Sequence, residues 1–127
     1  MSSEIDRWVE QARYDLETAQ AMLKSKRYLY VLFCCQQAVE KMIKGLIAKR
    51  TNELPPRLHH LMRLAEAAGL EVNEERARFL RELSAYYFQT RYPEEIAEMS
   101  TQVKAETARL VLKQTEEVIE WLESMLQ

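Results

Sequence analysis

Apolar positions return every three to four residues along most of this chain, and only two glycines and three prolines interrupt them. That spacing is helical rather than strand-like. Ile5, Trp8, Ala12, Leu16, Ala19 and Met22/Leu23 form one stripe, with Asp6, Arg7, Glu10, Arg13 and Glu17 mostly on the opposite side. The pattern predicts a first helix over about residues 3–25, with Ser2 or Ser3 as its cap. A second helix is expected over about 28–50, and its first half differs because Tyr28 to Cys35 is apolar all round. Such a helix has no face for water and must lie centrally in a bundle or in a dimer interface. Further on, Ala38, Val39, Met42, Ile43, Leu46 and Ile47 keep a wide stripe, while Gln36, Gln37, Glu40, Lys41 and Lys44 bring polar groups into it.

Thr51 to Pro56 is a break, since tandem prolines favour extended backbone. A short third helix is expected from about His59 to Ala68, stopped by Gly69. Asn73 can cap a fourth helix that turns Ala77, Leu80, Leu83/Ser84 and Tyr87 inward and ends near Thr90. After Pro93 a linker is expected through Glu94 to Thr101. A fifth helix over about 103–126 follows, with Ala108, Val111/Leu112, Thr115, Val118/Ile119, Leu122 and Met125/Leu126 on one face. Four long helices and a short one on brief connections predict an all-α, up-and-down antiparallel bundle.

The bulk numbers narrow the function classes. At 127 residues and 15.0 kDa the chain fits one domain, spanning 1–127. Its longest apolar run, Leu29 to Cys35, is far short of the roughly 20 residues that cross a bilayer, so no membrane span is expected. The N-terminus lacks a basic region followed by an apolar stretch, which makes the cytoplasm the expected location. A net charge of −2 and a pI near 5.8 argue against broad adhesion to nucleic acid, and there is no DNA-binding motif. Any phosphate site must therefore be local. Cys34 and Cys35 point about 100° apart on a helix, which disfavours a disulfide between them or joint metal coordination. They are expected to be buried, reduced thiols. No Glu-x-x-His pair exists to build a di-iron bundle site, so neither metal nor cofactor is expected.

One segment concentrates candidate chemistry: Tyr86-Tyr87-Phe88 followed by Arg91-Tyr92-Pro93. Proline disfavours helical geometry in the preceding residue, so a guanidinium should sit at a helix-to-loop corner with aromatic rings beside it. Such a corner suits an anion or phosphate. The plainer reading has Arg91 bonding exposed carbonyls at the helix end or pairing with Glu94 or Glu95. Tyr87 and Tyr92 can stack on a base, or pack with a wet hydroxyl. Glu40 and Lys44 have the favourable order for an i,i+4 ion pair. Their place on the apolar second helix favours a cleft over a solvated surface, whereas Lys41 faces elsewhere and reads as surface. Gln37 could read a base edge, but a buried amide bonding a neighbouring helix is the leading reading.

Three stretches together resemble the HEPN family, helical domains named for higher eukaryote and prokaryote nucleotide binding. They are Phe33-Cys34-Cys35-Gln36-Gln37-Ala38-Val39-Glu40-Lys41-Met42-Ile43-Lys44, then Pro56-Arg57-Leu58-His59-His60-Leu61, then Tyr87-Phe88-Gln89-Thr90-Arg91-Tyr92-Pro93. Ala12 to Ala19 in the first helix is also similar. The resemblance covers nearly the whole chain. It implies a bundle of about five helices, frequent homodimerisation, and partnership with a small nucleotidyltransferase. No signature of that enzyme occurs here, so such a partner would be a separate protein.

Many members of the family are ribonucleases that place a histidine four to six residues beyond an arginine. If Arg91 is that arginine, the histidine is due at Ile96, Ala97 or Glu98, and none of these is one. The two histidines, His59 and His60, follow Arg57 too closely for the motif. Arginine can stabilise phosphate charge but cannot take the proton that phosphodiester cleavage must move near neutral pH. The resemblance thus implies a non-catalytic nucleotide-binding or accessory protein, in a two-component system such as a toxin–antitoxin pair. The alternatives are a ribonuclease toxin with a degenerate site and a purely structural dimerisation module. Nucleotide- or RNA-binding candidates are Arg91, Tyr92, Tyr87, Lys44, Glu40 and His59, with a capping or packing role as the plain reading of His59.

Overall fold

The first apolar stripe forms α1 (Ser3–Lys24), and its buried residues Ile5, Ala12 and Ala19 include two of the smallest side chains. Small residues let helices approach closely. The approach is close at Gly45 of α2 (Tyr28–Thr51), where an added Cβ would stand 3.2 Å from Trp8 Cβ. The computed structural model describes residues 3–127, and every regular element among them is helical. The expected Ser2 cap lies outside the described residues, and Ser3 is itself the first residue of α1. A tight turn joins α1 to α2, with Lys26 in the left-handed region (φ 61°) and Arg27 N donating to Met22 O at 2.8 Å.

The second helix is central, but it is not enclosed along the whole of its apolar half, where Tyr30 stays 48% exposed and Tyr28, Phe33 and Cys34 are half-buried. From Leu29 to Ala48, fifteen residues of α2 are buried. The connection after Thr51 then folds back along α2, so that His59 lies beside Glu40, and α3 (Leu61–Ala67) follows. Gly69 (φ 70°) stops α3, Leu70 N reaching back to Ala65 O at 3.0 Å. Asn73 caps α4 (Glu74–Ser84) as expected, its Oδ1 accepting from Arg76 N at 2.8 Å.

Two more helices complete the order: α5 (Pro93–Gln102) and α6 (Ala105–Ser124). Arg13 pairs with Glu123, and Gln20 Nε2 donates to Glu116 at 2.9 Å, so α6 runs antiparallel to α1. Trp8 beside Gly45 and Asp15 beside Lys41 make α1 antiparallel to α2 as well. Arg76 lies 4.3 Å over the Trp121 ring, which sets the start of α4 against the end of α6. Thus α1 runs one way and α2 and α6 the other, in an antiparallel all-α bundle. No helix among the described residues is long and apolar enough to cross a membrane.

Two element boundaries depart from the periodicity. The fourth helix stops at Ser84 instead of continuing to Thr90; Ser84 Oγ donates to Leu80 O and accepts from Leu61 N, which ties this helix end to the start of α3. The next three amides tighten onto carbonyls three residues back, which unwinds the chain and frees Tyr87 and Phe88 to face α2. Beyond it, the segment expected as a linker is α5. Pro93 sits at its first turn, and Glu95 reaches back to accept from Tyr92 N at 3.2 Å. No residue of α5 is fully buried, so no strong apolar stripe announced it.

Burial pushes the Cys34 thiol up to about 11, with Asp15 adding to the rise, and burial pushes Cys35 up to about 12. A raised pKa leaves less thiolate at any given pH below it, so alkylation is slowed. At about pH 8, Cys34 is expected to react with iodoacetamide about 100-fold more slowly in the folded protein than in urea, and Cys35 more slowly still. Mass spectrometry of timed quenches measures both rates. Equal rates folded and unfolded would contradict the burial described.

Candidate functional site

Gln36, Glu40 and Lys44 recur at four-residue spacing, which aligns them as a polar stripe on one side of α2. All three are buried in the bundle. Charges taken from water need partners, and this stripe supplies them. Lys44 Nζ donates to Glu40 Oε2 at 3.0 Å and stands 5.8 Å from the centre of the Trp8 ring. Gln36 Nε2 donates to Glu40 Oε1 and to the His59 carbonyl, both at 3.0 Å. His59 Nδ1 lies 3.1 and 3.2 Å from the two Glu40 oxygens. One carboxylate therefore gathers an ammonium, an amide and an imidazole, and ties the returning chain to α2.

The cluster is buried at one end and open at the other. The side chains of Lys44 and Glu40 are 8% and 6% exposed, while that of His59 is 42% exposed. A chain of rings borders the mouth. His59 stacks on Tyr87 with centroids 3.8 Å apart and planes 11° from parallel. Phe33 tilts towards Tyr87 at 6.4 Å, stacks on Phe88 at 4.3 Å, and Tyr30 meets Phe88 edge-on at 5.4 Å. Burial, with the nearby Glu40 charge adding, raises the Tyr87 phenol above its ordinary range, so it stays protonated. Its hydroxyl donates to Gln89 Oε1 at 3.3 Å.

Of the six residues singled out in the sequence, four meet here: Glu40, Lys44, His59 and Tyr87. Arg91 and Tyr92 stand apart. The Arg91 guanidinium donates to Ala85 O at 3.3 Å, on the carbonyl end of α4, and pairs with Glu95 at 3.3 Å. Its Nε is enclosed without a partner, beside a cavity of about 360 Å³ lined by Tyr86, Met99 and Val103 among others. Tyr92 is 73% exposed and serves α5 through its backbone. Tyr87 and Arg91 still share one short segment, the turn between α4 and α5. Lys41, read as surface, is instead held on α1 by Asp15 at 2.7 Å.

Gln36 is the residue that sequence reasoning passed over in favour of Gln37. Its signal was present, because positions 36, 40 and 44 form an i, i+4, i+8 stripe of polar side chains, beside the shorter pair of Gln37 and Lys41. Gln37 is half-buried and donates to Gln36 Oε1 at 2.8 Å.

The model of the HEPN domain family matches residues 5–125. The structure of TT1696 from Thermus thermophilus superposes with a TM-score of 0.81 at 26% identity, over 97% of this chain and 98% of that one. ST0689, an archaeal HEPN homologue, superposes with a TM-score of 0.80 at 20% identity, over 99% of this chain and all of its own, a likeness of fold. No curated protein matches the chain significantly.

Proposed function

Since the chain belongs to the HEPN family, we propose that it is a non-catalytic nucleotide-binding or accessory protein. In this reading it acts as one cytoplasmic domain, forms a homodimer and serves a separate small nucleotidyltransferase, in a two-component system of the toxin–antitoxin kind. The observation that carries it is the Glu40–Lys44 pair, two charges held in the bundle interior and opening through His59 and Tyr87 to the surface. Apolar residues of similar size would fill the same space without the desolvation cost, so the pair is better explained by what it positions at the mouth. Arg91 and Tyr92, at the far end of the Tyr87 segment, supply the phosphate and ribose contacts in this reading. To reach a phosphate, Arg91 exchanges Glu95 for the ligand.

Absence of catalysis rests on the separation of groups. Arg91 has Ile96, Ala97 and Glu98 where the ribonuclease motif puts histidine, and the His59 imidazole is committed to Glu40. One feature favours a ribonuclease as the second reading: a carboxylate orienting an imidazole is the arrangement that activates a general base. Calorimetric titration of AMP and ATP against wild type and Arg91→Ala tests the first reading, with binding expected to weaken about 10-fold or more in the variant. Equal binding by both, or none by either, removes it. RNA incubated with wild type is expected to stay intact, and cleavage lost in His59→Ala favours the second reading.

A further inference from the structure

The hydrogen-bond polarity of the cluster can be followed atom by atom to the surface. An ionised Glu40 only accepts, so Lys44 Nζ, Gln36 Nε2 and His59 Nδ1 must each donate to it. The Gln36 amide cannot be reversed, because its oxygen would then face both Glu40 and the His59 carbonyl, two acceptors. With its nitrogen there, Gln36 Oε1 points to Gln37 and must receive a donor, which is Gln37 Nε2 at 2.8 Å. Two consequences reach solvent. Gln37 keeps its Oε1 free to accept, and a His59 that carries its proton on Nδ1 alone presents the lone pair of Nε2. Neither atom has a hydrogen-bond partner among the described residues, and neither is enclosed.

From this polarity we infer that the mouth binds a hydrogen-bond donor group of the nucleotide, an exocyclic base amine or a ribose hydroxyl, and rejects phosphate. The inference rests on the nucleotide-binding reading and adds which part of the ligand the cluster holds. Phosphate oxygens are acceptors, and against His59 Nε2 they would meet a lone pair with no proton between. An amine or hydroxyl supplies that proton. Buried Glu40 thus acts as a positioning residue: it never reaches the ligand, and it fixes the tautomer that does. The phosphate is left to Arg91, across the segment between α4 and α5.

Calorimetry at about pH 8 separates the outcomes. AMP is compared with IMP, CMP with UMP, and AMP with 2′-deoxy-AMP. Loss of the base amine is expected to weaken binding about 10-fold or more if the base is held, and loss of the 2′-hydroxyl does so if ribose is held. If all these nucleotides bind alike, the inference falls while nucleotide binding stands. If none binds, both fall. A readout without ligand is also available: long-range ¹H–¹⁵N spectra of the free protein are expected to show His59 protonated on Nδ1. Finding the proton on Nε2 instead overturns the inference whatever binds.

Discussion

Replacing Glu40 by leucine is expected to lower the stability of the protein by about 3–5 kcal/mol, the cost of leaving one member of a buried ion pair alone. For a chain of this length that is a fall of roughly 10–20 °C in Tm. The orphan is Lys44, whose side chain is 8% exposed and whose remaining neighbour is the Trp8 ring at 5.8 Å. Gln36 and His59 lose an acceptor in the same step. Lys44→Met is expected to cost less, since Glu40 keeps two donors. The informative variant is the double one, Glu40→Leu with Lys44→Met, because two apolar side chains leave no charge to solvate. It is expected to recover much of the loss, with a coupling energy of about 2 kcal/mol or more in the cycle. Thermal and urea unfolding of the four proteins measures it. If the single losses simply add, the pair is solvated and the buried cluster is wrong. Stability recovered without nucleotide affinity would separate what the charges do for function from what they do for the fold.

Much of this architecture was legible in the sequence, for reasons that differ by element. The first helix showed itself by periodicity, and α2 by an apolar run wider than one face, although Tyr30 within that run stays 48% exposed. Asn73 and Gly69 marked helix ends through local chemistry, a side-chain acceptor and a left-handed backbone, which does not depend on the rest of the fold. What was not legible depends on distant partners. Ser84 Oγ ties the end of α4 to Leu61, twenty-three residues away, and no local signal announces that contact. In α5 the signals were proline at the start and Glu95 reaching back, but only Ile96 and Met99 pack inward, too few for a stripe.

The site divides along the same line. Glu40 and Lys44 were readable as an i,i+4 pair, and their burial followed from the helix that carries them. That His59 would land on Glu40 was not readable, because nineteen residues and two prolines separate them. Arg91 illustrates the reverse. The helix expected to end beside it stops earlier, at Ser84, and the turn that follows brings it the Ala85 carbonyl and Glu95, which hold the guanidinium away from the cluster. Composition puts an arginine near tyrosines; only the turn after Ser84 decides which way each faces.

Phe88→Ala is the test of that turn. The ring is 7% exposed, stacked on Phe33 at 4.3 Å and met edge-on by Tyr30, so its removal is expected to cost about 3–5 kcal/mol. The consequence for function is larger than the stability loss suggests, because Phe88 anchors to α2 a segment with no regular structure of its own. Without it, Tyr87 loses the fixed neighbour that sets its stacking on His59, and Arg91 N loses the defined position of the Phe88 carbonyl, its acceptor at 3.0 Å. Hydrogen exchange is expected to rise from Ala85 to Tyr92 well before α1 or α6 is affected, and nucleotide affinity is expected to fall along with it. Phe88→Leu keeps most of the buried volume and should restore stability more fully than it restores affinity, because a leucine fills the space but does not hold the ring planes in register. Equal recovery of both would mean that the segment needs only to be packed, and that the aromatic chain from Tyr30 to His59 has no part in placing the site.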